Sequence, residues 1–331
     1  MLNPSEFKAG RRNLIAVLDW GLGHASRSLA LAQRFRAAGE EVIWTSAGPA
    51  LEMIRRETAG EATFELPAYA IRYGSRNMYW NMARQLPKLR RVIQAEKRLI
   101  SSIIHQSGAN RLISDNRFGC HSSAVPSIFL SHQLHPIVPG PVGWVYRQYL
   151  RPFSAYWVPD EANDQRLSGR LSATRDYDNV HYLGHLSRLS PSGNTSQDFT
   201  IGALLSGPEP QRSKLEEQLL ELLPQIPGQH FLIRGLANSR EKRQQGQVFI
   251  QDYADAAELA ALLPSAQLVL ARSGYSSLMD MRALEIERAL LIPTLGQTEQ
   301  IYLAQQAKNQ GWARVAAQTQ LQLTDLKAAL S

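Results

Sequence analysis

The chain reads as an α/β protein in two halves, domains 1–186 and 199–331, whose ligand groups face a shared crevice. Three observations carry that expectation. Apolar runs of strand length alternate with stretches of helix length, first from residue 13 to 183 and again from 199 onward. Most of these runs end in glycine or small polar residues, the composition of strand-to-helix turns. Between the two rhythms lies SRLSPSGNTSQD, residues 187–198, whose Ser, Pro, Gly and Asn mark a linker.

The first half opens with residues 13–19 (NLIAVLD), apolar enough to be buried on both faces of a sheet. Trp20-Gly21-Leu22-Gly23-His24 turns this strand into a helix over 25–38, which Gly39 closes, and 41–45 is the second strand. The turn is not the dinucleotide fingerprint. Ser26 stands where the third glycine belongs, and Trp44-Thr45-Ser46 rather than an acid ends the second strand, so a nicotinamide cofactor is disfavoured. A helix over 49–58 and a strand over 63–66 follow. Residues 71–100 carry Arg72, Arg76, Arg84, Lys88, Arg90, Arg91, Lys97 and Arg98 against the single acid Glu96, with Met78, Tyr79, Trp80 and Met82 among them. This is either a solvated helix face with core aromatics or a basic surface for anionic lipid headgroups. Pro87 argues against one continuous helix there. Strands over 111–114 and 127–130 end in Asp115-Asn116-Arg117 and Ser131-His132-Gln133. After a proline-rich loop over 136–141, VGWVYRQYLRPF is a basic amphipathic stretch, and strands over 155–158 and 180–183 complete the half.

The second half repeats the rhythm: strand 199–205, helix 211–223, strands 230–234 and 248–251, helix 255–263. Then LVLA, residues 268–271, runs into Ser273 and Gly274. Glycine permits a sharp turn, and the helix opening there points unpaired N–H groups and the positive end of its dipole at an anion, most often phosphate. Asp280, further along that helix, is placed to reach a ribose hydroxyl. The strand over 289–292 ends in a Pro-Thr-Leu-Gly loop that feeds Gln297, Thr298, Glu299 and Gln300 into the next helix. Two neighbouring strands thus bring polar groups to one carboxyl-end crevice, where ligands of open α/β sheets bind. A short helix over 324–330 is the last element.

At 331 residues, 44% apolar and 20% charged, the composition is that of a soluble globular protein of two domains. Cys120 is the only cysteine, which excludes an internal disulfide and suits a reducing compartment. No apolar signal segment precedes the first strand, and no run approaches the ~20 apolar residues of a membrane span. A cytoplasmic location is expected. The net charge of +7 sits in the first half, which has 23 Lys+Arg against 15 Asp+Glu up to Leu186, while the remainder has 13 against 14. Such a half suits an anionic membrane surface, an acidic substrate or nucleic acid; the site architecture gives nucleic acid little support. The histidines and acids lack ligand spacing, so neither a metal site nor a cofactor is expected.

On these residues the second half resembles the donor domain of GT-B glycosyltransferases. It is most similar to the family 28 group that includes the lipid II-forming N-acetylglucosaminyltransferase of peptidoglycan synthesis. The matching positions are Arg272-Ser273-Gly274, Asp280 in place of the family's Glu, Pro293 and Gln300, with Phe249-Ile250-Gln251-Asp252-Tyr253 upstream and Gly184 to Arg188 at the domain junction. Gly21, Gly23 and His24 match the family's first loop. The likeness is good over 248–317, moderate in the opening strand and helix, and slight over 40–182. It implies two Rossmann-like domains facing a cleft and the transfer of a sugar from a nucleoside diphosphate sugar, a UDP-sugar by preference, to an acceptor hydroxyl. Inversion without a metal is implied, helix dipoles and basic groups holding the phosphates. Phe249 and Ile250 would lie near the base, their main-chain groups reading it. Asp280 would take the ribose, Ser273, Gly274 and Arg188 the diphosphate, and Gln300, with Gln297 and Glu299 beside it, the sugar or phosphate.

Three departures stand out. The family's paired glycines of the first loop are reduced to Trp20-Gly21-Leu22-Gly23. The loop opening the donor domain is Ser206-Gly207-Pro208-Glu209-Pro210, where two prolines remove N–H donors, and Ile301 replaces the second glutamine of the family's motif. The base candidate is His24, because imidazole takes up a proton near working pH. Its orienting partner is Asp115, by analogy with His–Asp pairs in related transferases, with Asp19 competing. Gly21, Gly23, His132 and Gln133 would meet the acceptor, which the resemblance makes a lipid-linked or glycan group. A UDP-sugar 2-epimerase of the same fold, or a sugar-nucleotide sensor without catalysis, remains an alternative at this point.

Overall fold

A computed structural model describes residues 8–69, 78–191, 196–236 and 239–331, with the helix backbone alone over 78–86. The chain divides into two compact units, Met1–Leu186 and Ser187–Ser331. Each is built on one seven-stranded sheet.

In the first unit the strands are β1 (Arg12–Val17), β2 (Glu41–Ser46), β3 (Thr63–Glu65), β4 (Arg111–Asp115), β5 (Ser127–Leu130), β6 (Ala155–Val158) and β7 (Val180–Tyr182). All pair in parallel, in the spatial order β3-β2-β1-β4-β5-β6-β7. The chain therefore moves outward from β1 to β3, then returns to lay β4 on the other side of β1. That reversal opens a crevice above the carboxyl ends of β1 and β4, where Val17 and Asp115 lie in register. The strands are apolar on both faces because helices cover both. Ile15, Phe35, Trp44 and Trp157 fill one side and Leu14, Ile43, Ile100 and Leu112 the other, all buried. Each such side chain contributes about 1.5–3 kcal/mol.

Helix α1 (Leu22–Ala37) follows β1, and α2 (Gly48–Glu57) follows β2. The third helix, α3 (Met78–Ser107), runs through Pro87, so the expected break is absent. A proline forfeits one backbone hydrogen bond, whereas beyond it Val92, Ile93, Ile100 and Ile103 are all buried, and that packing carries the helix past the defect. Arg72 and Arg76 lie outside the described residues, as do the side chains of Met78, Tyr79, Trp80, Met82 and Arg84. Arg90, Arg91, Lys97 and Arg98 are exposed. Glu96 is buried instead: it accepts from Arg117 Nη1 (2.8 Å), Tyr69 Oη (3.0 Å) and the Gly119 amide (3.0 Å). Helix α4 (Gly140–Leu150) is the amphipathic stretch, seated by Tyr146 and Tyr149 against Phe118, with Val142 and Trp144 exposed.

The second unit has β8 (Phe199–Leu204), β9 (His230–Ile233), β10 (Lys242–Gln245), β11 (Val248–Gln251), β12 (Ala266–Ala271), β13 (Ala289–Leu291) and β14 (Ala313–Val315), in the order β10-β11-β9-β8-β12-β13-β14. The same reversal recurs, now between β8 and β12, with Leu204 and Ala271 in register. Its helices are α5 (Gln211–Leu222), α6 (Ala256–Leu262), α7 (Tyr275–Ala283), α8 (Thr298–Asn309) and α9 (Leu323–Leu330). β10 is the one antiparallel strand among the described residues, joined to β11 by a turn at Gly246 with φ of 58°. Gly202 on β8 lies against the Phe231 ring, where no side chain fits.

Candidate active site

In the first unit the site is built at the β1/β4 reversal. After β1 the chain turns at Gly21, whose φ of 85° is one that glycine adopts without strain. The first turn of α1 then follows with no side-chain cap, and His24 lies in that turn. Its Nδ1 is 2.7 Å from Oδ1 of Asp115, the last residue of β4. Asp115 is fully buried. Burial alone would raise its pKa, but the Arg27 guanidinium and His24 outweigh that and hold the carboxyl well below its usual range. His132, just past β5, joins through Arg27, whose Nη1 is 3.1 Å from His132 Nδ1, and Gln133 lies 3.1 Å from the far nitrogen of His132. The structure thus brings His24, Asp115, His132 and Gln133 into one hydrogen-bonded cluster above adjacent strands.

Asp19 does not compete for His24. It accepts from Arg117 Nη2 (3.1 Å) and the Tyr69 amide (3.1 Å), on the side of the strand that faces α3.

The second site lies at the β8/β12 reversal. Gly274 is the N-cap of α7, and no side chain caps the amides of its first turn. They present the anion-binding end of a helix at the switch point. Ser273 works from beneath: it is fully buried and its hydroxyl donates to the Gln300 carbonyl (2.7 Å), so it props α8 rather than facing outward. Gln300 is likewise turned inward. Its Oε1 accepts from the Thr294 amide (2.8 Å) and its Nε2 donates to Gln297 Oε1 (2.6 Å), which leaves Gln297, half-buried at the start of α8, to offer its own amide nitrogen. Glu299 lies beside it in the first turn of α8.

Asp280, half-buried, accepts from the Ser187 hydroxyl at 2.5 Å. Burial pushes its pKa up to about 6, against the pull of Ser187 and the Arg188 charge. Arg188 therefore reaches this carboxylate. Phe249 and Ile250 sit in β11, flanked by β9 and β10, so their main-chain groups belong to the sheet ladder and the Ile250 side chain to the core. Base-reading groups must then come from beyond the strand end rather than from these two residues. The β8 loop carries its own anion. Glu209 accepts from the Ser213 amide (3.2 Å) and hydroxyl (2.8 Å), placing a carboxylate at the start of α5.

Two participants were given no role from sequence. Arg27 is 2% exposed at the centre of the first cluster. Its signal was its spacing: three residues after His24, it shares a helix face with it. Arg272 is buried too, and its guanidinium donates to the carbonyls of Ile292 (3.1 Å) and Gln211 (2.8 Å) and to Gln318 Oε1 (2.8 Å), tying together the loops beneath the second site. Among the described residues no group of three or more His, Cys, Asp or Glu is placed to hold a metal ion, and no helix is long and apolar enough to cross a membrane.

Two α/β units with parallel-rich sheets and a reversal in each are the architecture of the GT-B fold, and comparison agrees. The chain is similar to MurG of Acinetobacter baumannii at 13% identity and a TM-score of 0.60, covering 96% of this chain and 89% of that one. It is similar to the glycosyltransferase SnogD from Streptomyces nogalater at 15% and 0.70, covering 97% and 91%. A third likeness is to the spinosyn rhamnosyltransferase SpnG, solved with thymidine diphosphate, at 14% and 0.66, covering 97% and 90%. At such identities the likeness is one of fold. No curated protein matches the chain by sequence. Residues 211–331 match the glycosyltransferase family 28 C-terminal domain.

Proposed function

We propose that the protein moves a sugar from a nucleoside diphosphate sugar to an acceptor hydroxyl by a single inverting displacement, with His24 as the base. The observation that carries this is the 2.7 Å contact between His24 and a buried, ionised Asp115 at the first sheet's reversal. The carboxylate orients the ring and stabilises the imidazolium formed when the acceptor gives up its proton. The α7 amides take the leaving diphosphate and Asp280 the ribose, without a metal, because a helix terminus supplies the needed positive potential. UDP is the expected nucleotide; a thymidine nucleotide is the alternative, favoured by the diphosphate in the SpnG structure.

The acceptor is lipid-linked or a glycan, and the protein works in the cytoplasm against an anionic membrane. Support comes from Val142 and Trp144, exposed on α4 in a stretch with Arg147 and Arg151 but no acid between Pro136 and Pro159, and from exposed Arg90 and Arg91.

The test is nucleotide release from UDP- and thymidine diphosphate sugars with and without an acceptor extract. Release that depends on the extract is expected. Interconversion of two sugars without it, or binding with no turnover, would sink the transferase reading. His24→Ala should leave nucleotide binding intact and abolish transfer.

A further inference from the structure

We infer that Arg27 is a positioning residue that sets opposite tautomers on the two histidines of the first site, leaving a bare Nε2 on His24 and a bare Nδ1 on His132. The inference rests on the reading of His24 as the base and adds what holds that base ready.

A guanidinium only donates hydrogen bonds, and an ionised carboxylate only accepts them. Arg27 Nε donates to Asp115 Oδ2 at 2.9 Å and its Nη2 donates to Oδ1. Ser28 Oγ donates to Oδ2 at 2.9 Å. With His24 on Oδ1, all four acceptor positions of the carboxylate are spoken for, two on each oxygen, and the group cannot turn. Arg27 Nη2 also faces His24 Nδ1 at 2.9 Å. A bare Nδ1 and a carboxylate oxygen, both acceptors, would not sit 2.7 Å apart, so His24 carries its hydrogen on Nδ1 and gives it to Asp115, as Nη2 does. The lone pair is then on Nε2, which has no hydrogen-bond partner among the described residues to compete with a substrate hydroxyl.

The other hand of the guanidinium settles His132. Nη1 donates across 3.1 Å, so His132 Nδ1 must accept and its hydrogen must sit on Nε2. Gln133 places its amide nitrogen 3.1 Å from that ring nitrogen, so an Nε2–H on His132 requires the Gln133 amide to be turned over to offer its oxygen. Arg27 thereby makes one histidine a proton acceptor and the other a donor on the outward side of the same cluster. A lysine has the charge without the fork and cannot hold Asp115 through both oxygens while reaching His132.

The measurement is the long-range nitrogen–proton correlation spectrum of the ¹⁵N-labelled full chain at neutral pH, with His24→Gln and His132→Gln identifying the two rings. No donor or acceptor is present. The expected spectrum shows Nδ1–H on His24 and Nε2–H on His132. Arg27→Gln and Arg27→Lys, confirmed folded by circular dichroism, should each lower the His24 preference for Nδ1–H by about tenfold, the worth of one charge-assisted hydrogen bond. Nε2–H on His24 in the wild type would overturn the inference, as would folded Arg27 variants with an unchanged His24 signal. If both variants fail to fold, the wild-type spectrum still decides. The tautomers are read without turnover, so a wrong base assignment would show separately, as transfer surviving in His24→Ala with the spectrum as expected.

Discussion

Asp280 is a carboxylate kept at a cost to the fold, and Asp280→Asn should expose that cost. Its folded pKa is raised from 3.8 to about 6 by burial. A carboxyl raised in this way stabilises the fold only while protonated: its contribution is whole below pH 3.8 and is lost as pH rises through about 6. The interval is roughly two pH units, which at 1.36 kcal/mol each amounts to about 3 kcal/mol of destabilisation at pH 7.5. Asparagine keeps the oxygen that Ser187 reaches at 2.5 Å and removes the charge. The variant should therefore melt higher than the wild type at pH 7.5, by roughly 5–10 °C for a unit of this size. The gap should close as the pH falls toward 4. With Asp280 in its proposed role at the ribose, calorimetry of nucleotide binding should meanwhile show weakening of about tenfold or more, because the hydroxyl would lose a charged acceptor. A variant that melts lower at neutral pH, or a gap that does not narrow with acid, would refute the reasoning.

Other expectations follow from the same geometry. Asp115→Asn strands the Arg27 charge in a buried site and should cost about 3–5 kcal/mol in urea unfolding. Gly202→Ala pushes a methyl group into the Phe231 ring, itself packed edge-on against Phe199 at 5.1 Å, and should cost about 1–3 kcal/mol in the same assay. Burial and then Glu96 push the Cys120 thiol well above its ordinary range, so it should resist iodoacetamide in the native protein and react once unfolded. Sedimentation with anionic vesicles should be reduced by Arg90→Glu with Arg91→Glu; sedimentation equal to that of the wild type would remove these residues from the membrane proposal.

The strands were legible because buried parallel strands leave unbroken apolar runs: 127–130, 155–158 and 248–251 match β5, β6 and β11 end to end. β10 escaped notice for the opposite reason. KRQQ is wholly exposed, and an edge strand of charged and amide side chains has the composition of a loop. Only the glycine between it and an apolar run hinted at a hairpin. The site was legible as far as residue type, position on the sheet and the analogy with His–Asp pairs in related transferases allow, which is how His24 and Asp115 were paired. Side-chain commitment was not. Nothing in a one-dimensional reading tells that Ser273 spends its hydroxyl on the Gln300 carbonyl, that Gln300 spends its side chain on its own loop, or that Asp19 belongs to Arg117. Basic residues misled in particular: Arg27, Arg111 and Arg117 were counted with surface charge, yet each is buried against its own acid.

Arg272 bears on attempts to retarget the enzyme. The guanidinium grips the exit of β13, the entrance of α5 and Gln318, segments that together span more than a hundred positions of the chain. A donor-binding loop grafted from another transferase would arrive without its share of that clasp. Exchanging the second unit entire is the more workable graft, because only then does the fastener travel with everything it fastens.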